Sequence, residues 1–268
     1  MGSVSSLNPY QFAYNGFIFG SGTPYIVENV DGLASLPPLR VQDDNRGYID
    51  GSYSGRDFYD GRTVTIDIVI IGDGTHNAQY YYKQLQTAFM PLQIGTPSQL
   101  QIFGLFQFQL VNESLAGDST VTGLKRMYGR VRKIETSIDP DYTYGYITTQ
   151  VEFFFPDPRY YDDTAKTGSG SSISLVNNGT ATTCPYITIT TTPSTFTISD
   201  GTYNMLFSTS SSATMTIDLL QRVIGQGATS ARNTFVSGYY WLNVPPQSSA
   251  TWTMSSGTMQ INYRNAYL

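Results

Sequence analysis

The chain has 268 residues, 40% hydrophobic and 14% aromatic, enough to bury one large core or two modest ones and too rich in aromatics for a disordered chain. Only 13% of residues are charged and the net charge is −5, which argues against nonspecific nucleic-acid binding, because that needs a basic face to neutralise phosphates. The single Cys (Cys184) and single His (His76) exclude an internal disulfide and a Cys/His zinc site, leaving only a carboxylate cation site formally open.

Low charge beside 21 Tyr and 14 Phe suits a protein that covers its surface with neutral contacts to copies of itself or to partners. Met1 to Gly20 has neither a cationic n-region nor a signal-length apolar run, and the most apolar stretch, Ile66 to Ile71, is too short to span a bilayer. The expectation is a chain with no secretion signal and no membrane anchor.

A first domain is expected over 1–164. Its tract from Arg40 to Arg62 is rich in Asp, Asn, Gly, Ser and Tyr with little periodicity, which predicts a long loop or an arm ordered against a neighbour. In Arg62–Ile71 the residues Val64, Ile66, Ile68 and Ile70 share one face at period two, which predicts a half-buried strand. Gly72-Asp73-Gly74-Thr75-His76-Asn77 then follows a strand and opens a helix, as a dinucleotide fingerprint would. It lacks the third glycine, and Asp73 would set a carboxylate against the pyrophosphate, so an Asp-Gly turn is the better account. Over His76–Met90 the residues Ala78, Tyr82, Leu85 and Phe89 recur at helical spacing, with Thr75 as the expected cap and Pro91 as the stop. His76 has no nucleophile elbow beside it and is expected to flank the helix start.

Phe106, Phe108 and Leu110 alternate with Gln107 and Gln109 as a second strand would. The basic run Lys125, Arg126, Arg130, Arg132 and Lys133 puts three arginines on one strand face. Without a glycine cradle or stacking aromatics it is expected to be solvated or interfacial. A third strand, Tyr144–Phe155, stops at Pro156. The pairs Asp139 with Asp141 and Asp162 with Asp163 could serve a glycosidase only if the fold set two carboxyls at a defined separation, which adjacency in sequence does not supply. Asn112-Glu113-Ser114 and Asn178-Gly179-Thr180 match glycosylation acceptors by chance in a chain with no expected secretion signal.

Residues 165–171 have the small polar composition of a linker, and a second domain is expected over 172–268. Seven short strand candidates there, Ile187–Thr191, Phe196–Ser199, Met205–Ser208, Thr214–Leu219, Tyr239–Leu242, Thr251–Met254 and Met259–Tyr263, predict an antiparallel sandwich. Trp241 and Trp252 are candidates for a sugar-stacking platform, although Tyr239-Tyr240-Trp241-Leu242 alternates like a half-buried strand. No catalytic, cofactor-binding or metal-binding residue is assigned, no cofactor is expected, and no enzymatic activity is expected.

In order and spacing the chain resembles the siphophage distal-tail and minor tail protein family along nearly its whole length. The similar elements are Gly32-Leu33 through Leu36-Pro37-Pro38-Leu39-Arg40, then Gly61-Arg62-Thr63-Val64, and Ala88-Phe89-Met90-Pro91. Phe153-Phe154-Phe155-Pro156-Asp157-Pro158-Arg159-Tyr160-Tyr161 resembles the family's exit from its last N-terminal strand. In the second domain they are Asn178-Gly179-Thr180-Ala181-Thr182, Met215-Thr216-Ile217-Asp218, Trp241-Leu242-Asn243-Val244-Pro245 and Tyr263-Arg264-Asn265-Ala266-Tyr267-Leu268. The family usually has Pro-Gly where this chain has Pro245-Pro246.

The resemblance implies a mainly β protein: an N-terminal barrel or sandwich domain with one helix and a C-terminal galectin-like antiparallel sandwich. It implies a ring, commonly hexameric, at the distal end of a long phage tail, joining the tail tube protein to the tip or baseplate hub and letting DNA pass. Expected partners are further copies of the chain, the tube, the hub and the tape measure protein, with a virion location after assembly in the host cytoplasm. A host-glycan-binding module of the tail tip is the alternative.

Overall fold

The computed structural model describes residues 2–47, 50, 52–91, 103–110, 123–137, 145–227, 229–238 and 241–268. It is mainly β with one α-helix among the described residues, as expected. The chain divides into two compact units, Met1–Tyr160 with Leu268, and Tyr161–Tyr267.

In the first unit the strands are β1 (Gln11–Tyr14), β2 (Phe17–Gly20), β3 (Tyr25–Asp31), β4 (Leu39–Arg40), β5 (Asp43–Asn45), β6 (Ser52–Ser54), β7 (Phe58–Tyr59), β8 (Arg62–Ile71), β9 (Gly104–Gln109), β10 (Lys125–Thr136) and β11 (Tyr146–Phe155). All main-sheet pairings are antiparallel, in the order β2-β1-β9-β10-β11-β8-β3. The long strand β10 carries the bend. Its first five residues pair with β9, its remainder pairs with β11, and a bulge between Val131 and Lys133 shifts the register. The bulge leaves the expected arginine face in place: Arg130 is the cross-strand partner of Phe154, on the side of the sheet where Arg126 also lies, and Arg132 is on that side too. Arg132 turns onto the ring of Phe154, 3.5 Å from its centroid, while Lys125 is buried.

The inward residues of β8 (Val64, Ile66, Ile68 and Ile70) meet Phe12, Tyr14, Phe19, Phe106, Phe153 and Phe155 in one aromatic-rich core. Helix α1 spans Ala78–Ala88 and buries Ala78, Tyr81 and Leu85 against it, with Phe89 buried at its C-terminal cap. The cap differs from the expected Thr75. Asn77 accepts the Tyr80 N–H at 2.9 Å, two residues further on, because Asp73 has already organised the intervening turn. The outer face of β9 is covered too. Gln107 is fully buried under the N-terminal segment, its Oε1 accepting from Val4 N–H at 2.9 Å and its Nε2 donating to the Val4 carbonyl at 3.0 Å. The Gln107 side chain thus acts as a ladder partner for backbone.

Strand β12 (Tyr160–Asp162) leads into the second unit, whose strands are β13 (Lys166–Gly170), β14 (Ser172–Asn177), β15 (Tyr186–Ile189), β16 (Thr195–Ser199), β17 (Asn204–Ser208), β18 (Met215–Asp218), β19 (Val223–Gln226), β20 (Thr229–Ser230), β21 (Phe235–Ser237), β22 (Ser248–Met254), β23 (Met259–Tyr263) and β24 (Ala266–Tyr267). Two sheets, β13-β23-β15-β18-β19-β20 and β14-β22-β16-β17-β21, enclose a core that includes Ile173, Leu175, Ile187, Phe196, Phe207, Ile217, Trp252 and Ile261. The expected linker is corrected here. Lys166–Gly170 is a strand paired with β23, and its small residues serve close packing: a Cβ on Gly168 would lie 2.6 Å from the Ile173 side chain. Of the expected strand at Tyr239–Leu242, Trp241 and Leu242 lie outside strands, and Tyr239 and Tyr240 fall outside the described residues.

Candidate assembly surface

The tract from Arg40 to Arg62 is a hairpin arm. Leu39 and Arg40 pair with Tyr59 and Phe58, and Asp43–Asn45 pair with Ser52–Ser54. Every strand residue of the arm is exposed. Its apolar side chains include Leu36, Leu39, Val41, Tyr53, Phe58 and Tyr59, with Leu36 at 69% and Tyr53 at 64% exposure. Two short ladders with no layer over them bury too little to be stable by themselves in water. Arginine stacking adds to the order that their backbone pairing gives. The guanidinium carbons of Arg40 and Arg56 lie 5.6 and 5.5 Å from the Phe58 ring centroid, and that of Arg46 lies 4.9 Å from Tyr53.

The base of the arm is fixed by Arg62, which is 1% exposed. Its Nη1 donates to the carbonyls of Gly32, Leu33 and Ser35 at 2.9, 2.6 and 2.7 Å, and its Nε donates to the Pro158 carbonyl at 2.9 Å. Burial pulls the Arg62 pKa below its ordinary value, while the nearby Tyr160 works in the opposite direction. Gly32 has φ of +81°, and a Cβ there would lie 2.2 Å from the Thr63 carbonyl oxygen, so only glycine fits beside β8. The stretches Gly32-Leu33 and Gly61-Arg62-Thr63-Val64, far apart in the sequence, are therefore two halves of one clamp.

The second unit gathers its own motif residues at one end of the sandwich. Asn177 shares the inward parity of Ile173 and Leu175 and is fully buried. Its Nδ2 donates to the carbonyls of Ala181, Val244 and Pro245 at 2.8, 3.2 and 3.0 Å, and its Oδ1 accepts from Gly179 N–H at 3.1 Å. Gly179 is pressed onto Ala266, where a Cβ would meet the carbonyl oxygen at 1.9 Å. Alongside, Asn265 takes hydrogen bonds from Lys166 Nζ and Asn178 N–H and gives one to Asp162. Asn177 was not singled out from the sequence; its one signal there is a polar residue in phase with two core residues.

The remaining candidates do not assemble into a site. In the Gly72–Asn77 turn, Asp73 Oδ1 accepts from the N–H groups of Thr75 and His76, at 3.0 and 2.9 Å, so the donors a phosphate would need are already used. Tyr81 donates to Asp73 Oδ2 at 2.6 Å, and this bond holds Asp73 down at about 2 and pushes Tyr81 up to about 12. Burial raises Tyr25 to about 12 as well. His76 stacks on Tyr80 with ring centroids 4.0 Å apart. Trp252 is fully buried and cannot stack on a sugar, and Trp241 is half-buried against Phe235. Asp162 is occupied by Asn265 and Tyr267, and Asp139, Asp141 and Asn112–Ser114 lie outside the described residues. Among the described residues no group of three His, Cys, Asp or Glu could hold a metal, and no helix is long and apolar enough to cross a membrane.

The first unit is thus a bent antiparallel sheet with one helix and a hairpin arm, and the second a two-sheet sandwich. The SPP1 Dit (gp 19.1) protein, described as a paradigm of hub adsorption apparatus in phages infecting Gram-positive bacteria, has this fold: the TM-score is 0.62 at 14% identity, over 96% of this chain and 99% of that one. Two structures of the phage P2 baseplate in its activated conformation, with Ca and with Sr, align at a TM-score of 0.45 and 9% identity, over 94% of this chain and 97% of theirs. No protein-family model and no curated protein matches the chain.

Proposed function

We propose that this chain is a non-enzymatic structural protein of the distal tail of a long-tailed phage, and that copies of its first unit close into a ring, hexameric by the family resemblance. The observation that carries the proposal is the arm. It is a clamped hairpin whose exposed apolar and aromatic side chains need a covering surface, and in a closed ring the neighbouring copy supplies one. The shared fold with SPP1 Dit supports the same location. The ring joins the tail tube above to the tip hub below, with the tape measure protein and then DNA in its channel. The acidic balance suits that passage, since a cationic lumen would hold phosphates. Assembly takes place in the host cytoplasm.

Light scattering across a concentration series, with negative-stain images of the same fractions, tests this. The full chain is expected to form closed rings, and a chain whose residues 42–56 are replaced by a two-glycine turn is expected to stay monomeric while remaining folded. Rings formed equally well by the shortened chain would overturn the role given to the arm.

A further inference from the structure

We propose that Lys166 and Asn265 become joined side chain to side chain by an isopeptide bond, with Asp162 carrying the proton and the Asn178 N–H holding the developing oxyanion. Three groups that such a reaction requires meet in the second unit. Lys166 Nζ lies 2.9 Å from Asn265 Oδ1, one bond from the carbon it attacks. Asn265 Nδ2, the leaving nitrogen, donates to Asp162 Oδ2 at 2.7 Å. Asn178 N–H donates to Asn265 Oδ1 at 3.0 Å, where negative charge appears when the carbonyl is attacked. The last two bonds also set which way the amide faces, its oxygen toward a donor and its nitrogen toward a carboxylate.

The surroundings hold this geometry. Asn265 is 5% exposed and lies between β23 and β24, and Tyr267, next to it but one, is 1% exposed with its hydroxyl 3.4 Å from the same Asp162 oxygen. Lys166 starts β13, shares the parity of Gly168, and is held from its other side by the Val176 carbonyl at 3.0 Å. The Tyr263 ring lies 5.7 Å from Nζ. A buried amide with amine, carboxyl and oxyanion donor already in contact needs no substrate and no cofactor.

The step balances. The Lys166 ammonium passes one proton to Asp162 through a bridging water, leaving a neutral amine and a carboxylic acid. The Nζ lone pair forms the bond to Asn265 Cγ, and the oxyanion forms on Oδ1 against the Asn178 N–H. Asp162 returns its proton to Nδ2, the Cγ–Nδ2 bond breaks as the carbonyl re-forms, and ammonia leaves with the surplus Nζ proton as ammonium. One amide replaces another, and nothing is oxidised or reduced. The product ties the first strand of the sandwich to the segment between its last two strands, the task a disulfide would perform in a chain with more than one Cys.

The proposal does not rest on the ring. Intact mass of the purified full chain under denaturing conditions tests it. The wild-type chain is expected to be lighter than its sequence mass by one ammonia, and digestion is expected to release a branched peptide carrying both Lys166 and Asn265. Lys166→Arg and Asn265→Ala are expected at full mass, and Asp162→Asn is expected to convert about 100-fold more slowly or not at all. The wild-type result decides by itself if a variant fails to fold. Full mass after prolonged incubation of the folded wild-type chain would overturn the proposal. So would an ammonia loss that maps to a cyclic imide at Asn178-Gly179, or unslowed conversion in Asp162→Asn.

Discussion

Replacing Arg62 by Met keeps most of the side-chain volume and removes the charge and every donor. Four backbone carbonyls then lose their partner, three on the segment leading into the arm and one at Pro158. Three N–H groups, one on Nε and two on Nη1, serve those four carbonyls; a hydrogen bond from a charged donor is worth about 1.5–3 kcal/mol net, so together they outweigh the several kcal/mol of desolvation that the buried guanidinium costs. With some of the freed carbonyls turning to water, we expect a loss of about 3 kcal/mol in the stability of the first unit. Arg62→Lys is expected to recover only part of it, because a compact ammonium cannot span the clamp as a planar fork does. Both tryptophans, Trp241 and Trp252, lie in the second unit, which gives the assay an internal control. In urea titrations the tyrosine near-UV dichroism, dominated by the aromatic core of the first unit, should move to lower denaturant while the tryptophan fluorescence transition stays in place. A variant within about 0.5 kcal/mol of wild type would refute the reasoning, as would an equal shift in both signals.

Three further outcomes follow from the packing and the hydrogen bonds. The Asp73 carboxyl, observed by carbon NMR, should titrate near 2 and move up toward 3.8 in Tyr81→Phe. Its lowered pKa means that its contribution to folding is present above about 4 and is lost as pH falls toward 2. The raised value at Tyr81 means a contribution present below about 10 and lost as pH rises toward 12, and stability that is pH-independent at both ends in wild type would contradict the bond. Trp252→Ala should cost about 3–5 kcal/mol in the tryptophan-fluorescence or dichroism transition of the second unit, whereas Trp241→Ala, at the half-buried site, should cost about 1–2 kcal/mol. Gly32→Ala should destabilise the first unit by more than about 2 kcal/mol in thermal unfolding, since the new Cβ meets both an unfavourable φ and the Thr63 carbonyl; a neutral variant would show that the clamp can move aside.

The strands β8 and β11 and the helix were legible because each follows from a local period. Alternating Val64, Ile66, Ile68 and Ile70 can bury one face only as a strand, and Ala78 and Leu85 can share a face only on a helix. The mainly β class followed from the same periods. The arm was visible as an interruption of them, although its cross-strand pairing was not. Composition misled at Lys166–Gly170, where glycine and serine mean close sheet packing and not a linker, and at Thr75, where the cap moved to Asn77 once Asp73 had tied the turn.

Only tertiary structure decided the rest, because the partners lie far apart along the chain. Which of Trp241 and Trp252 enters the core depends on the register of β22 against β14 and on the position of Phe235. Gln107 is buried because Val4 covers it, Arg62 is a clamp because Gly32 and Pro158 converge on it, and Lys166 meets Asn265 because β13 pairs with β23. No local preference encodes these contacts. A side chain's period states which face it occupies, and the chain must close its long loops before the group on the other side of that face exists.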